Sequence, residues 1–217
     1  MSFVRNGYGQ VEPNQLSAQK TGQIYASLPL DSAVSTLQNG EFMYYDMKAN
    51  KVSADDSTSV AEPMLVFNEI KLYEPFWRTS YKDFAMIRVG DNYVTSKLAT
   101  AGYGDGALTV GNVPTATQPP TSGHTEYPYR MDGIAPRLFK TNVGDIMTTN
   151  MVAADDPATS TVVTYAVGDK LVPVKNATSK TLVLEKDNTA TTGMIWVVVK
   201  LTTMPDGQDA VKLQRVH

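Results

Sequence analysis

The sequence contains no cysteine, which excludes disulfide frameworks, zinc sites built on thiolates and thiol catalysis. Histidine is almost as scarce. His124 and His217 are the only two, and neither belongs to an H-E-x-x-H pair or stands beside a G-x-S-x-G elbow. An imidazole without a positioned partner has little acid–base value, so both read as solvated side chains. Charged residues make up 19% of the 217 positions, below the roughly 25% of an average soluble domain. The net charge is −3, and no basic cluster exceeds two adjacent charges. Direct nucleic-acid binding through phosphate contacts is therefore not expected. No apolar run approaches the roughly 18 residues needed to cross a bilayer, so no membrane partner is expected. The leading MSFVRNGYGQVEPNQ lacks the apolar stretch of a secretory signal.

What is present is apolar and rich in turn residues. Hydrophobic residues reach 42%, with 15 glycines and 12 prolines, which argues against a wholly disordered chain. From residue 138 onward, short runs rich in β-branched residues recur at close spacing: Leu138-Phe139, Asp145–Met147, Thr161–Val167, Lys170–Val174, Thr181–Glu185, Met194–Leu201 and Ala210–Val216. Asp155-Asp156-Pro157, Gly168-Asp169, Asp187-Asn188 and Pro205-Asp206-Gly207 separate them. Short strands punctuated in this way predict an all-β protein whose body is a β-barrel or β-sandwich. Ile195–Val199 is expected to be its most buried strand. Pro173 places its own strand at an edge or a bulge. Pro205 and Gly207 fit the second and fourth positions of a turn joining the last two strands.

Earlier in the chain, Asn39-Gly40 between apolar stretches signals a hairpin, and Phe42–Met47 is partly apolar on both faces, as in a strand covered on both sides or at a subunit contact. Met64–Tyr73 and Tyr81–Gly90 read as further strands. Residues 101–136 form a long irregular Gly/Pro-rich excursion, longer than the roughly 12–15 residues usual for an unstructured loop. The body thus spans 32–217, either as one barrel or as two sub-barrels over 32–100 and 137–217.

Residues 1–31 carry Gly7, Gly9, Pro13, Gly22 and Pro29, which interrupt every candidate element, yet large apolar residues keep recurring. A helix from Pro13 to Thr21, stopped by Gly22, would bury only Leu16 and Ala18, too little to hold it. The segment therefore reads as an extended N-terminal arm lying on a surface, either that of another subunit or this chain's own core. Phe3, Val4, Tyr8, Val11, Leu16, Ile24 and Tyr25 are its candidate partner-binding residues, with Phe76 and Trp77 as a second set. Those two follow Pro75 in a connection, where exposed aromatics point to recognition of a protein surface or a stacked sugar.

Motifs that would carry chemistry are weak. Gly102-Tyr-Gly-Asp-Gly106 has neither the lysine nor the strand-to-helix context of a phosphate loop. Asp55-Asp56 and Asp155-Asp156 lack a calcium loop around them and read as turns. Glu69, Glu74 and Asp83 are the accidental carboxylate pairs that any β-protein offers, and Asn176-Ala-Thr178 matters as a glycosylation acceptor only on a secretion route. No catalytic residue, metal or cofactor is expected. Val-Gly-Asp occurs three times, at Val89, Val143 and Val167. Its unequal spacing excludes a repeat architecture. One turn chemistry reused explains it better, with glycine left-handed and the aspartate bonded to nearby amides.

Three stretches taken together, Leu37-Gln-Asn-Gly-Glu-Phe-Met-Tyr-Tyr-Asp46, Leu65-Val-Phe-Asn-Glu-Ile-Lys-Leu-Tyr73 with Ser80-Tyr-Lys-Asp-Phe-Ala85, and Met204-Pro-Asp-Gly-Gln-Asp-Ala-Val-Lys-Leu-Gln-Arg215, resemble structural head proteins of tailed bacteriophages, of the capsid decoration or cement type. That resemblance implies a β-rich body outside an icosahedral shell, an arm reaching across neighbouring subunits, and the major capsid protein as partner. It also implies self-association as a dimer or trimer on the shell, and assembly in the host cytoplasm, which absence of cysteine suits. It transfers no site residues. A tail or head-fibre component, or a host-glycan-binding surface module of the virion, is the alternative, and Trp77 is the residue that would favour it.

Overall fold

The computed structural model describes residues 9–31, 33–34, 36–55, 62–68, 86–88, 135–153, 163–205 and 207–217. The expected excursion up to residue 134, and the greater part of the strands expected over Met64–Tyr73 and Tyr81–Gly90, lie outside them.

The all-β expectation is met by a curled antiparallel sheet that forms a half-barrel, with one short helix among the described residues. In chain order the elements are β1 (Val11–Gln15), α1 (Ser17–Thr21), β2 (Ile24–Tyr25), β3 (Thr36–Gln38), β4 (Phe42–Asp46), β5 (Lys51–Ser53), β6 (Met64–Val66) and β7 (Met86–Arg88). They continue with β8 (Leu138–Phe139), β9 (Ile146–Thr149), β10 (Lys170–Lys175), β11 (Leu182–Lys186), β12 (Trp196–Thr203) and β13 (Asp209–Arg215). The main path runs β1-β9-β13-β12-β10-β11-β4-β6-β8-β2, with β5 attached to β4, while β3 and β7 pair separately. Strands from 32–100 and from 137–217 thus share one sheet, rather than each stretch closing its own barrel.

Chain geometry accounts for the curl. The two ends of the path, β1 and β2, are joined only by residues 16–23. Fully extended, such a connection spans at most about 32 Å, and α1 shortens it. Ten strands laid flat at about 4.8 Å spacing would separate those edges by about 43 Å. The sheet can accommodate the connection only by bending round.

Its concave side holds the core. Trp196, Phe42, Phe139, Leu65, Met147, Leu171, Val211 and Leu213 are buried there. Phe42 tilts against Trp196 with ring centroids 6.1 Å apart, and Phe67 meets Phe139 edge-on at 5.4 Å. Alternation in β13 selects Val211 and Leu213 for this side and sends Lys212 and Gln214 outward. The strand expected to be deepest buries Ile195, Trp196 and Val198, with Val197 half-buried between them. Val199, however, is the extra residue of a bulge between the Val198–Leu213 and Lys200–Lys212 pairs, and is 39% exposed.

Other local expectations resolve in physical terms. Pro173 opposes Leu184 in β11, and β10 meets β12 only at Lys170 and Leu171. Its missing N–H therefore falls where the strand has no second partner. The turn at Pro205 closes as expected, with the Gly207 amide donating to the Met204 carbonyl at 2.9 Å. Asn39-Gly40 does form a turn, the Glu41 amide donating to the Gln38 carbonyl at 3.3 Å. It does not make a hairpin: β3 pairs with β7, and β4 turns away to β6 and β11. Glu41 explains the departure. Its buried carboxylate accepts from the Gln38 amide at 2.7 Å and from the Thr181 hydroxyl at 2.8 Å, tying the turn to the end of β11. The strand expected over Thr161–Val167 is not formed among its described residues. Tyr165 instead buries its ring and donates its hydroxyl to the Ala153 carbonyl at 2.6 Å.

Candidate functional site

The described part of the N-terminal segment, expected to bind a partner, is committed to this chain's own sheet. Val11 pairs with Thr149 across β1 and β9 and is 9% exposed. Leu16 is 1% exposed and Ala18 fully buried, at the start of the short helix that Gly22 ends with a φ of 71°. Ile24 pairs with Phe139 and packs partly against the core. The extended-arm expectation is therefore corrected for residues 9–31. Val11 and Leu16 belong to this chain's own core, with β1 and β2 forming the two ends of the sheet path and α1 lying between them in the chain. Tyr25 is the exception: 37% exposed, it leans on Tyr45 at 5.1 Å between centroids. Phe3, Val4, Tyr8, Phe76 and Trp77 lie outside the described residues.

Polar side chains inside the body are bonded within it. The Asp145 carboxylate accepts from the Ser17 amide at 2.9 Å, the Ser17 hydroxyl at 3.0 Å and the Asn142 amide at 2.9 Å. This fixes α1 to the body. Asp169 accepts from the Ala166 amide at 2.7 Å and the Asn188 side chain at 3.0 Å, and pairs with Lys186 at 2.7 Å. Burial pushes the Asp169 pKa up, but the bonds from Lys186, Asn188 and Ala166 together outweigh it and hold the group below the usual carboxylate value. Tyr165 moves the other way, raised chiefly by burial with Glu185 and Asp169 adding repulsion. Arg215 forks onto Glu62 with two 2.9 Å bonds while its Nη1 reaches the Thr141 carbonyl. His217 places Nδ1 2.6 Å from the Gly193 carbonyl. Asp55 pairs with Lys175. Among the described residues, no group of three or more His, Asp or Glu side chains is placed to hold a metal ion.

The convex face of β1, β9, β13 and β12 has a different character. Register sets Glu12, Thr148, Lys212 and Lys200 in one row across the four strands. Lys200 is exposed and Lys212 half-buried. Neither lysine has an ion pair among the described residues. The bulge at Val199 lies immediately beside Lys200.

This row was not among the residues singled out from the sequence. Alternation in Ala210–Val216 assigns Lys212 to the outer face. What sets Lys200 opposite it is the bulge, and a one-residue bulge leaves no local mark in a run of valines.

Comparison with protein-family models, with curated proteins and with solved structures yields no match to this chain. Among the described residues no helix is long and apolar enough to cross a membrane.

Proposed function

We propose that this chain is a non-enzymatic structural protein of a tailed-phage head. In this reading it binds the outside of the capsid shell, bridges major capsid protein subunits and associates with its own copies there. The observation that carries the reading is the likeness of Leu37–Asp46, Leu65–Tyr73 and Met204–Arg215 to decoration-type head proteins. The disposition of the polar groups supports it: Glu41, Asp145, Asp169 and Arg215 are each engaged in holding strands and turns together. A body braced in this way suits a protein whose work is mechanical. Because residues 9–25 are spent on the chain's own sheet, the bridging contacts fall to the outer surface of the body and to segments beyond the described residues. In a lattice such contacts recur many times, so a modest interface gains by multivalency when one molecule touches two subunits.

The test compares particles assembled with and without the protein. Lower survival of the depleted particles under heat and low salt is expected. Equal survival would reject a stabilising role.

A further inference from the structure

The convex row on β13 and β12 contains an arrangement that folding alone does not favour. Lys200 and Lys212 are direct cross-strand partners. Opposed side chains on adjacent strands have Cβ atoms about 4.5–5.5 Å apart, and like charges in that relation destabilise the sheet. No described carboxylate pairs with either ammonium. Glu12, in the same row, stands two strands away from Lys212, beyond Thr148. The chain as a whole carries a net charge of −3. The adjacent bulge at Val199 leaves that side chain 39% exposed, and Val197 next to it is half-buried. Bulges recur where a strand re-aims a side chain for use. Together they make a small surface with an apolar centre and a paired positive rim, the composition of a protein-docking patch.

We propose that Lys200, Lys212 and Val199 form a docking surface for an acidic protein surface, with carboxylates of the partner seated between the two ammonium groups. The inference rests on the structural role proposed above and names the face of the body that meets the shell. Charge complementarity chooses the partner. Two lysines on the outer face of a curled sheet, in a protein of net negative charge, match a few carboxylates rather than the continuous phosphate array of a nucleic acid.

The charge pair supplies a variant that separates docking from folding. Lys200→Glu sets opposite charges across the strands, so the melting temperature should hold or rise, whereas binding should fall at least tenfold. Binding is measured by sedimentation with shells of the major capsid protein that lack this chain, and separately by titration with poly-L-glutamate at low ionic strength. Wild-type protein should bind both, more weakly as salt rises, and excess duplex DNA should not displace it from the shells. Undiminished binding of poly-L-glutamate and shells by Lys200→Glu would overturn the docking surface, as would displacement by DNA without displacement by poly-L-glutamate. Wild-type protein that binds poly-L-glutamate through Lys200 yet ignores the shells would sink the capsid role while upholding the acidic-partner surface.

Discussion

Asp145 and Asp169 occupy equivalent positions in two copies of one turn, placed on either side of the β12–β13 hairpin. In each, the aspartate amide donates to the carbonyl three residues back, Asn142 at 3.0 Å and Ala166 at 3.2 Å. Each carboxylate returns a bond to that same residue's amide. The glycines match as well, with φ of 95° at Gly144 and 94° at Gly168. Their amides donate to the Arg215 and Val198 carbonyls, both at 2.8 Å. β9 follows the first turn and pairs with β13; β10 follows the second and pairs with β12. The four strands are thus related by an approximate twofold axis through the hairpin. The N-terminal segment breaks the symmetry, since Ser17 occupies beside Asp145 the place that Asn188 and Lys186 take beside Asp169.

The first prediction concerns acid. Asp169 is held below its ordinary value of 3.8 in the folded protein, and Asp31 and Asp187 move in the same direction. A depressed folded pKa contributes stability above the unfolded value, and that contribution disappears as pH falls through the folded one. Stability should be flat near neutrality and decline as pH drops below about 4. Asp169→Asn should cost about 1–3 kcal/mol at pH 7 through the lost charged bonds. That difference from wild type should narrow in acid. Denaturant melts at stepped pH check it, and a constant difference across pH would contradict it.

The glycines of these turns permit a graded comparison with Gly40. Gly40 has a φ of 93°, and a Cβ there would lie 2.5 Å from Met151 Cβ and 2.7 Å from Thr149 Oγ1. At Gly168 a Cβ would meet nothing within 4 Å. Gly168→Ala should show backbone strain alone, about 1–2 kcal/mol. Gly40→Ala adds a clash with backbone-proximal atoms that cannot swing aside, and should cost several kcal/mol more. Equal melting temperatures for the two variants would show that the contact at Gly40 yields.

How far the sequence discloses the fold follows from the range of each signal. β8 to β13 are legible because β-branched runs and turn residues act over a few positions, and the Val-Gly-Asp turns at Val143 and Val167 follow from the same local chemistry. Val89 lies outside the described residues. Failures come where distant partners decide. Asn39-Gly40 is a good hairpin turn locally, but Glu41 bonded to Thr181 sends β4 to another sheet. Leu16 and Ala18 are too few to hold a helix in isolation, yet both are buried in the folded chain, where the Ser17 bonds to Asp145 anchor the helix. An apolar segment with poor local signals looks the same whether its cover is another chain or a distant strand of its own. Lys200 opposite Lys212 depends on a register that only the folded hairpin specifies.

The N-terminal segment gives the third prediction. Leu16 is 1% exposed and part of the core, so Leu16→Ala should destabilise the protein by about 2–5 kcal/mol. Deleting residues 1–25 should abolish cooperative unfolding, since the edges of β9 and β8 would be uncovered and the buried face beneath α1 opened to water. Near-wild-type melting of the deletion would restore the arm as a free appendage.

Arg215 gives the last prediction, and the unequal burial of its ion pair sets the expected result. The arginine side chain is 5% exposed and that of Glu62 58%. Its Nη1 is bonded to Thr141, and its Nε donates to the His217 carbonyl at 2.9 Å. A lysine cannot reproduce this planar fork. Arg215→Lys should therefore cost about 3 kcal/mol or more by leaving the buried Thr141 carbonyl, and with it the His217 carbonyl, short of donors. Glu62→Ala removes only the solvent-facing partner. It should cost about 1 kcal/mol or less, because water replaces much of what an exposed carboxylate supplies. The double variant should resemble Arg215→Lys alone, with little coupling beyond it. A double-mutant cycle by chemical denaturation measures this, and a coupling energy that accounts for most of the arginine's cost would shift the weight from the Thr141 and His217 carbonyls to Glu62.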